Sequence, residues 1–440
     1  MRGWVRTVED FFVKNRERFI YLHMGMLIIF AALIFIPQFL PLPAEDATLL
    51  NNFTLLAKFL IWGLWFPLML LSVVFFGRLW CGLLCPQGAL SEYAGRRGFN
   101  KPIPRWMRWG GMPIMSFIFV TILGQLVGVR DYPLAAMEIL GGTMIVAIVI
   151  GFLYTSGRRP WCRYLCPIGP LLGIFSRLGA LSFERNGGSG KGCVCPTFIN
   201  TATKVASSNC IECFRCVSTD VNTSLHLKVR RPGLEIEEIQ GREPGLWEVI
   251  FLFAATGLAL GAFHWQVNPI YIQYKQALGG LLLNLGMGDF IGKSGPWWLM
   301  VYYPEAGEVF NYLDFISITS FMIASMVCTA ASLLTLTALS AFILKKKQPI
   351  MATVARLGYL YAPVALVSLM LGLGLILFQS LGNLGLSKTS IRIMQGILFG
   401  GGGIWSAYLA VKLQGRWGLA VIPNVVGTGF VALPWIKVLF

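Results

Sequence analysis

The chain has 440 residues, of which 56% are hydrophobic and only 13% are charged, and its formal net charge is +16. Soluble domains carry about 25% charged residues, so this composition excludes an ordinary soluble protein. A basic balance is found in nucleic-acid-binding proteins, but Lys and Arg also collect in the cytoplasmic loops of membrane proteins. Because the basic residues lie between apolar segments, we expect a membrane protein that contacts lipid and binds no nucleic acid.

Apolar segments long enough to cross a bilayer as helices recur along the chain. A ninth segment, at about 418–438, is less regular than the others because Pro423, Asn424 and Pro434 interrupt it. The sequence therefore predicts an all-α polytopic membrane protein with eight or nine transmembrane helices. The eight regular segments lie at about 19–41, 54–77, 110–128, 134–155, 246–264, 315–344, 353–381 and 391–411.

The basic residues also predict an orientation. They are concentrated in the N-terminal segment, in two stretches at about 78–108 and 158–191, and at 345–347. Intervening segments are short or acid-leaning, as at 45–46 and 305–308. The positive-inside rule then places the N-terminus and the basic loops on the cytoplasmic side of a bacterial inner membrane. No small-residue cleavage site follows the basic N-terminus, so we expect an uncleaved first helix.

Nine of the ten cysteines lie between Cys81 and Cys216, in the region that this orientation places in the cytoplasm. Disulfide-stapled proteins are short, secreted and hydrophilic, so that class is excluded. Clustered thiols on a reducing face indicate metal binding instead. The tenth, Cys328, stands alone in an apolar segment, and we interpret it as a small core residue.

The stretch at 181–244 contains a C-x-x-C-x-x-C sequence formed by Cys210, Cys213 and Cys216. Three thiolates at this spacing can bind three corners of a [4Fe–4S] cube. Four cysteines also suit Zn²⁺, but zinc sites more often show two separated C-x-x-C pairs. The spacing therefore favours an iron–sulfur cluster on a small, ferredoxin-like loop.

The fourth ligand of this cluster has to come from elsewhere in the chain. Bacterial ferredoxin sequences continue with x-x-x-C-P, whereas Ser-Thr-Asp follows here at 218–220. Cys195 is our candidate, because it precedes Pro196 and Cys-Pro is the usual form of the remote ligand. The nearby Cys193 would then be left over, although it remains a candidate metal ligand.

An internal repeat supplies four more cysteines. The sequence RLWCGLLCPQGAL at 78–90 aligns with RPWCRYLCPIGPL at 159–171, and each copy follows an even-numbered helix. Two such elements on one face can complete a second four-thiolate site, or can serve as structural corners where Cys-Pro ends a helix. Which cysteines share a cluster stays open, since loop and repeat thiols can mix. The four are Cys81, Cys85, Cys162 and Cys166.

Other residues of possible redox importance give weaker signals. Arg78 and Arg163 lie close to these cysteines in the sequence, and positive charge would raise a cluster's potential. We attribute them to the positive-inside bias alone. The three histidines, His23, His226 and His264, are too dispersed to pair across one haem, and no C-x-x-C-H sequence occurs, so we expect no haem.

The cysteine elements resemble those of the NapH/NosR/YccM-type membrane polyferredoxins, which lie beside periplasmic nitrate and nitrous-oxide reductases and some ferrous-iron uptake systems. The resemblance covers about residues 54–220. It implies four core helices, two cytoplasmic [4Fe–4S] clusters, and electron exchange with the quinone pool or a soluble donor. The chain departs from the family pattern in having one near-complete cluster sequence instead of two, and in the additional helices after residue 245.

These features predict three parts: a four-helix membrane core at 1–180, the cluster loop at 181–244, and a C-terminal membrane domain of four or five helices at 245–440. We expect an electron-transfer subunit of an oxidoreductase system that works between a cytoplasmic donor or the quinone pool and a membrane or periplasmic partner. That partner would be a reductase, an oxidase, a cytochrome or an iron permease. One alternative is a metal-uptake subunit in which the clusters support transport. Another is a thiol-based assembly factor, which a reducing cytoplasmic location disfavours.

Overall fold

The computed structural model describes residues 2–41, 43, 47–185, 193–217, 225–344, 348–415 and 418–439. The sequence features at 45–46, 218–220 and 345–347 lie outside the described residues. Within the described part, eight helices are long and apolar enough to cross a membrane. They are Gly3–Phe39, Phe53–Phe76, Pro133–Leu153, Leu246–His264, Tyr312–Ile343, Ile350–Leu373, Lys388–Gln414 and Leu419–Ile436.

A shorter apolar helix, Met112–Val127, corresponds to the third predicted segment. The prediction of an all-α polytopic membrane protein is confirmed. The ninth segment is helical despite its prolines, because Pro423 falls in the first turn of helix Ile422–Leu439, where a missing N–H is tolerated. The predicted segment at 353–381 is divided instead: one helix ends at Leu373, and after Gly374 the next runs over Leu375–Asn383.

Shorter elements connect and cover the spans. The spanning helix Phe53–Phe76 contains the π-helical turn Phe59–Trp65, and Pro133–Leu153 contains the π-helical turn Met137–Gly141. The shorter helices are Pro86–Arg96, Pro160–Tyr164, Gly169–Ser176, Leu234–Glu237, Pro269–Asn284 and Gly288–Ile291, and the strands are Leu181–Arg185, Leu225–Val229, Tyr302–Tyr303 and Glu308–Val309.

The two halves of the internal repeat exchange their short helices. Helix Pro86–Arg96 follows the first cysteine element but packs against helix Gly142–Leu153 of the second hairpin. Conversely, helix Gly169–Ser176 follows the second element and packs against helix Phe66–Phe76 of the first. This reciprocal packing fixes the two hairpins relative to each other, and with them the two cysteine elements.

Two glycines allow helix Pro86–Arg96 to pack closely against helix Gly142–Leu153. A Cβ at Gly151 would lie 2.0 Å from the carbonyl oxygen of Ser91, and one at Gly95 would lie 3.0 Å from that of Gly151. The backbones of the two helices therefore touch directly, at a separation that any larger side chain would prevent.

The cluster loop is framed by an antiparallel strand pair in which Leu181 lies opposite Val229 and Arg185 opposite Leu225. The first helical segment, Arg2–Asn15, packs onto this frame: the Glu9 carboxylate accepts a hydrogen bond from the backbone N–H of Leu227 at 2.9 Å. The sequence analysis starts the first helix near residue 19, so it missed this contact.

The C-terminal helices are packed on the first half of the chain. Helix Leu246–His264 lies against both Met112–Val127 and Tyr312–Ile343, and Ala362–Leu373 contacts Phe66–Phe76. A Cβ at Gly257 would lie 2.7 Å from the Cβ of Thr329, so the helices cross closely there. The division of the chain into three parts stays a prediction.

The glycine contact between the hairpins yields a matched pair of variants within one helix. We expect Gly151→Ala to destabilise the protein by about 1–3 kcal/mol, because the new methyl group collides with backbone. Gly142→Ala has no atom within 4 Å of its new Cβ and is expected to be neutral or to stabilise by about 0.5 kcal/mol. Thermal unfolding in detergent measures both, and equal unfolding temperatures would contradict the proposed close contact.

Candidate metal centre

The first thiol set comes from the two repeat elements. Each element ends in Cys-Pro, and Cys85 is extended, with φ −72° and ψ 115°, immediately before Pro86 begins the next helix. This geometry turns the chain sharply, so that two thiols separated by three residues lie on the inner side of the turn. Cys81, Cys162 and Cys166 are buried, and Cys85 is half-buried.

The thiols from the two hairpins lie close together. A Cβ at Gly88, just after the first element, would be 3.0 Å from the sulfur of Cys162 in the second. Burial and the charge of the nearby Cys81 thiolate together raise the pKa of Cys85 to about 11. Burial and the charge of Cys85 together raise the pKa of Cys166 to about 12. The structure thus places Cys81, Cys85, Cys162 and Cys166 close to one another, and their assignment to one cluster stays a prediction.

The second thiol set lies on the loop. Glu212 and Phe214 have φ values of 53° and 57°, a left-handed conformation that is uncommon outside glycine. Left-handed residues at these two positions bend the backbone of the C-x-x-C-x-x-C segment. Burial raises the pKa of Cys210 to about 12 and also raises the pKa of Cys213.

Both candidates for the fourth loop ligand, Cys193 and Cys195, lie close to the C-x-x-C-x-x-C segment. Cys193 hydrogen-bonds Cys216, and this contact lowers the pKa of Cys193 to about 6 while raising that of Cys216. Cys195 lies near Cys213, and its sulfur is 3.4 Å from the Thr197 hydroxyl. The choice of Cys195 over Cys193 stays a prediction.

The two thiol sets meet at a backbone contact. A Cβ at Gly82, between Cys81 and Cys85, would lie 2.1 Å from the carbonyl oxygen of Ile211 and 3.2 Å from the Cα of Cys213. No side chain separates the backbone between Cys81 and Cys85 from the cluster loop at this point.

Two arginines at equivalent positions of the repeat are buried beside the thiols. Arg78 is 3% exposed and Arg159 is 1% exposed. Arg78 donates from Nη1 to the carbonyl oxygen of Ser208 at 2.8 Å and hydrogen-bonds the Cys81 thiol, and its Nε and Nη2 atoms have no oxygen acceptor in the described part of the chain. Attributing Arg78 to the positive-inside bias was therefore wrong, since that bias concerns solvated charges.

Arg159 is held by Glu92, which the sequence analysis did not single out. Its Nε is 3.0 Å from the Glu92 carboxylate, and its Nη1 donates to the carbonyl oxygen of Cys81 at 2.8 Å. The same carboxylate also pairs with Arg96 and Arg215. Burial alone would raise the pKa of Glu92, but Arg159 and Arg215 outweigh it and lower the pKa to about 2. Arg159 and Arg78 occupy equivalent positions of the repeat, and this alignment is the sequence signal that could have identified the two arginines as part of the site.

The donor set fits an iron–sulfur cluster. Buried thiols with raised pKa values are not stable as thiolates unless cations replace their protons. Among the described residues, no three Cys, His, Asp or Glu side chains converge on a single metal ion. In a [4Fe–4S] cube each cysteine binds a different iron, so the sulfur atoms stand farther apart than around one ion. The Arg78 N–H groups that have no oxygen acceptor among the described residues also suit an anionic cluster.

Of the three histidines, His23 lies against the junction of the two thiol sets, and the other two lie elsewhere. His23 contacts the carbonyl oxygen of Gly82 at 3.1 Å, His264 contacts that of Leu260, and His226 contacts Glu9. The expectation of no haem stays a prediction. Cys328 is exposed on helix Tyr312–Ile343, so its interpretation as a core residue was wrong.

Comparison with known proteins identifies both repeat elements. Residues 59–104 and 139–186 match the family described as "4Fe-4S binding domain". The chain is 27% identical over 227 residues to the "Putative electron transport protein YccM" of Escherichia coli, covering 44% of this chain and 63% of that protein. The resemblance to membrane polyferredoxins is confirmed.

The chain is also similar to two further proteins. "Methylamine utilization ferredoxin-type protein MauN" of Methylobacillus flagellatus is 25% identical over 34% of this chain and 57% of its own length. "Protein NirI" of Paracoccus denitrificans is 28% identical over 39% of this chain and 29% of its own length. The chain thus spans less than two thirds of these relatives, and no solved structure matches it.

The Glu92 network leads to a stability prediction. Glu92→Gln leaves Arg159 buried without its counter-charge, so we expect a loss of about 3–5 kcal/mol. Asp131→Asn, which breaks the half-exposed pair with Lys58, should cost less than about 1 kcal/mol. Because the pKa of Glu92 is lowered, its contribution is present above the ordinary glutamate pKa and is lost as the pH falls through about 2. Denaturant unfolding at neutral pH compares the two, and a Glu92→Gln loss no larger than that of Asp131→Asn would refute this account.

Proposed function

We propose that this polyferredoxin relays electrons through two [4Fe–4S] clusters as a subunit of a larger redox system. The first cluster would be held by Cys81, Cys85, Cys162 and Cys166, and the second by Cys195, Cys210, Cys213 and Cys216. The observation that carries the proposal is the backbone contact at Gly82 and Ile211, which joins the two thiol sets without an intervening side chain. A bound cluster supplies one-electron redox chemistry, and the chain supplies the thiolates, the buried Arg78 and the exclusion of water.

Electron transfer from the two thiol sets to a periplasmic partner would have to cross the membrane. The basic loops favour a cytoplasmic position for both thiol sets. A bilayer core is about 30 Å thick, so delivery to a periplasmic partner needs a further carrier beyond two clusters on one side.

A cavity of about 190 Å³ between the helices supports a quinone as that carrier. Cys166 and Pro167 line it together with the polar residues Gln125 and Arg130 and with apolar side chains such as Phe117. The lining residues of helix Met112–Val127 extend from Phe117 to Gln125, a distance of about 12 Å along its axis. Apolar walls with a few polar groups suit a quinone head group.

The partners remain proposals: a cytoplasmic donor or quinol on one side, and a reductase, oxidase, cytochrome or iron permease on the other. The printed names of the relatives support a redox role in general. In the alternative, a metal-uptake subunit, transport flux would persist after every cluster cysteine is replaced by serine, whereas an electron relay would stop.

Cluster content is the direct test of the proposal. On protein purified without air, we expect about eight iron and eight sulfide per chain. Cys166→Ser and Cys213→Ser should each reduce both to about four, because each removes a ligand of a different cluster. Cys328→Ser is the control, since this thiol is exposed on a spanning helix and should leave the content unchanged. Zinc in place of iron, or about four iron in the unaltered protein, would contradict two clusters.

The fourth loop ligand can be identified with two neighbouring variants. We expect Cys195→Ser to lose about four iron and the low-temperature EPR signal of one reduced cluster, because Cys195 completes the loop site. Cys193→Ser should keep both, because its thiol would only hydrogen-bond Cys216 from outside the site. The reverse result would assign the ligand to Cys193.

A further inference from the structure

A second cavity, of about 480 Å³, opens beside the loop thiols and is not used by the relay. Its floor is formed by Gly82 and Cys213, where the two thiol sets meet. Its walls come from the first spanning helix, from helix Pro86–Arg96 and from the cluster loop. The polar side chains that line it are Arg16, Glu17, His23, Tyr93, Arg96, Arg159 and Arg215.

The walls carry more positive than negative charge. Arg96, Arg159 and Arg215 all pair with the single carboxylate of Glu92, whose side chain is 2% exposed behind the wall. Arg16 is exposed and makes no ion pair within the described residues, and Glu17 is the one carboxylate that lines the cavity itself. Four guanidinium groups thus share two carboxylates, an imbalance that a bound anion would neutralise.

The donors suit one kind of anion. Guanidinium groups bind phosphate oxygens in pairs through their planar N–H fork, and several guanidiniums around one cavity favour phosphate over a singly charged ion. Phe19 and Ile20 line the cavity where the first spanning segment turns apolar, so we expect the membrane surface to lie close to it. A lipid head group and a water-soluble phosphate ester can both reach this position.

We propose that this cavity is a binding site for a phosphate group, held by Arg16, Arg96 and Arg215 with Arg159 beneath them. The site does not depend on the relay, because its charge and shape come from protein side chains alone. It lies against Cys213, so an occupant would contact the loop that carries the second thiol set.

The test uses the intact protein, purified without air, with two probes that distinguish the sources of phosphate. Inorganic phosphate is titrated by calorimetry in detergent. For the lipid, the protein is incubated with vesicles of phosphatidylglycerol or phosphatidylcholine, and the retained lipid is measured by native mass spectrometry. Saturable binding of phosphate indicates a soluble ligand, and selective retention of phosphatidylglycerol indicates a lipid; either result supports the proposal.

Two double variants distinguish binding in this cavity from a general effect of surface charge on binding. The double variant Arg16→Gln with Arg96→Gln should weaken binding of the effective probe about tenfold or more, because two charge-assisted contacts are lost. Arg105→Gln with Arg108→Gln removes the same charge from exposed positions outside the cavity and should change binding less than about twofold. Iron content shows that each variant has folded. Absence of binding by either probe, or equal effects of the two double variants, would overturn the proposal.

Discussion

Compensation of buried positive charge is the constraint on which the arrangement of this site depends. Arg78 and Arg159 are both inside the protein, where an unpaired charge is far more costly than in water. Arg159 is compensated by Glu92, whereas Arg78 hydrogen-bonds the Cys81 thiol, lies near two further thiols, and has two nitrogen atoms without an oxygen acceptor in the described part of the chain. The protein therefore places an uncompensated cation where an anionic cluster would be held. The positive charge of Arg78 and the negative charge of the proposed cluster would compensate each other.

The two copies of the repeat together supply the thiols and the buried arginines of the site. Arg78 belongs to the first copy but lies near Cys162 and Cys166 of the second. Arg159 belongs to the second copy but donates to the carbonyl oxygen of Cys81 in the first. The short helices are exchanged in the same sense. Each copy thus completes the other, so a single hairpin would have neither a full thiol set nor a covered arginine.

The sequence predicts the spans well and supplies candidate cluster ligands, because both are local patterns, while the division of the ligands between clusters stays a prediction. Hydropathy depends on neighbouring residues, and cluster ligands follow fixed spacings. The missed features join distant residues: Glu9 with Leu227, and Arg159 with Glu92. The residues next to Arg78 do not distinguish a buried arginine from a solvated one in a basic loop, so its alignment with Arg159 in the repeat was the signal that could have corrected the interpretation. Similarly, the break at Gly374 and the exposure of Cys328 depend on which helices pack against them.

The C-terminal helices, which the matched cluster-domain segments do not include, have a structural relation to the thiols. Ala259, Ala262 and Phe263 of helix Leu246–His264 line the cavity that begins at Cys166, as does Leu369 from a later helix. The other walls come from the first half of the chain. Without the second half, this apolar cavity would lose one side and be open to lipid along its length. The later helices thus enclose the one route that, in the proposed relay, leads from the thiols toward the opposite membrane face.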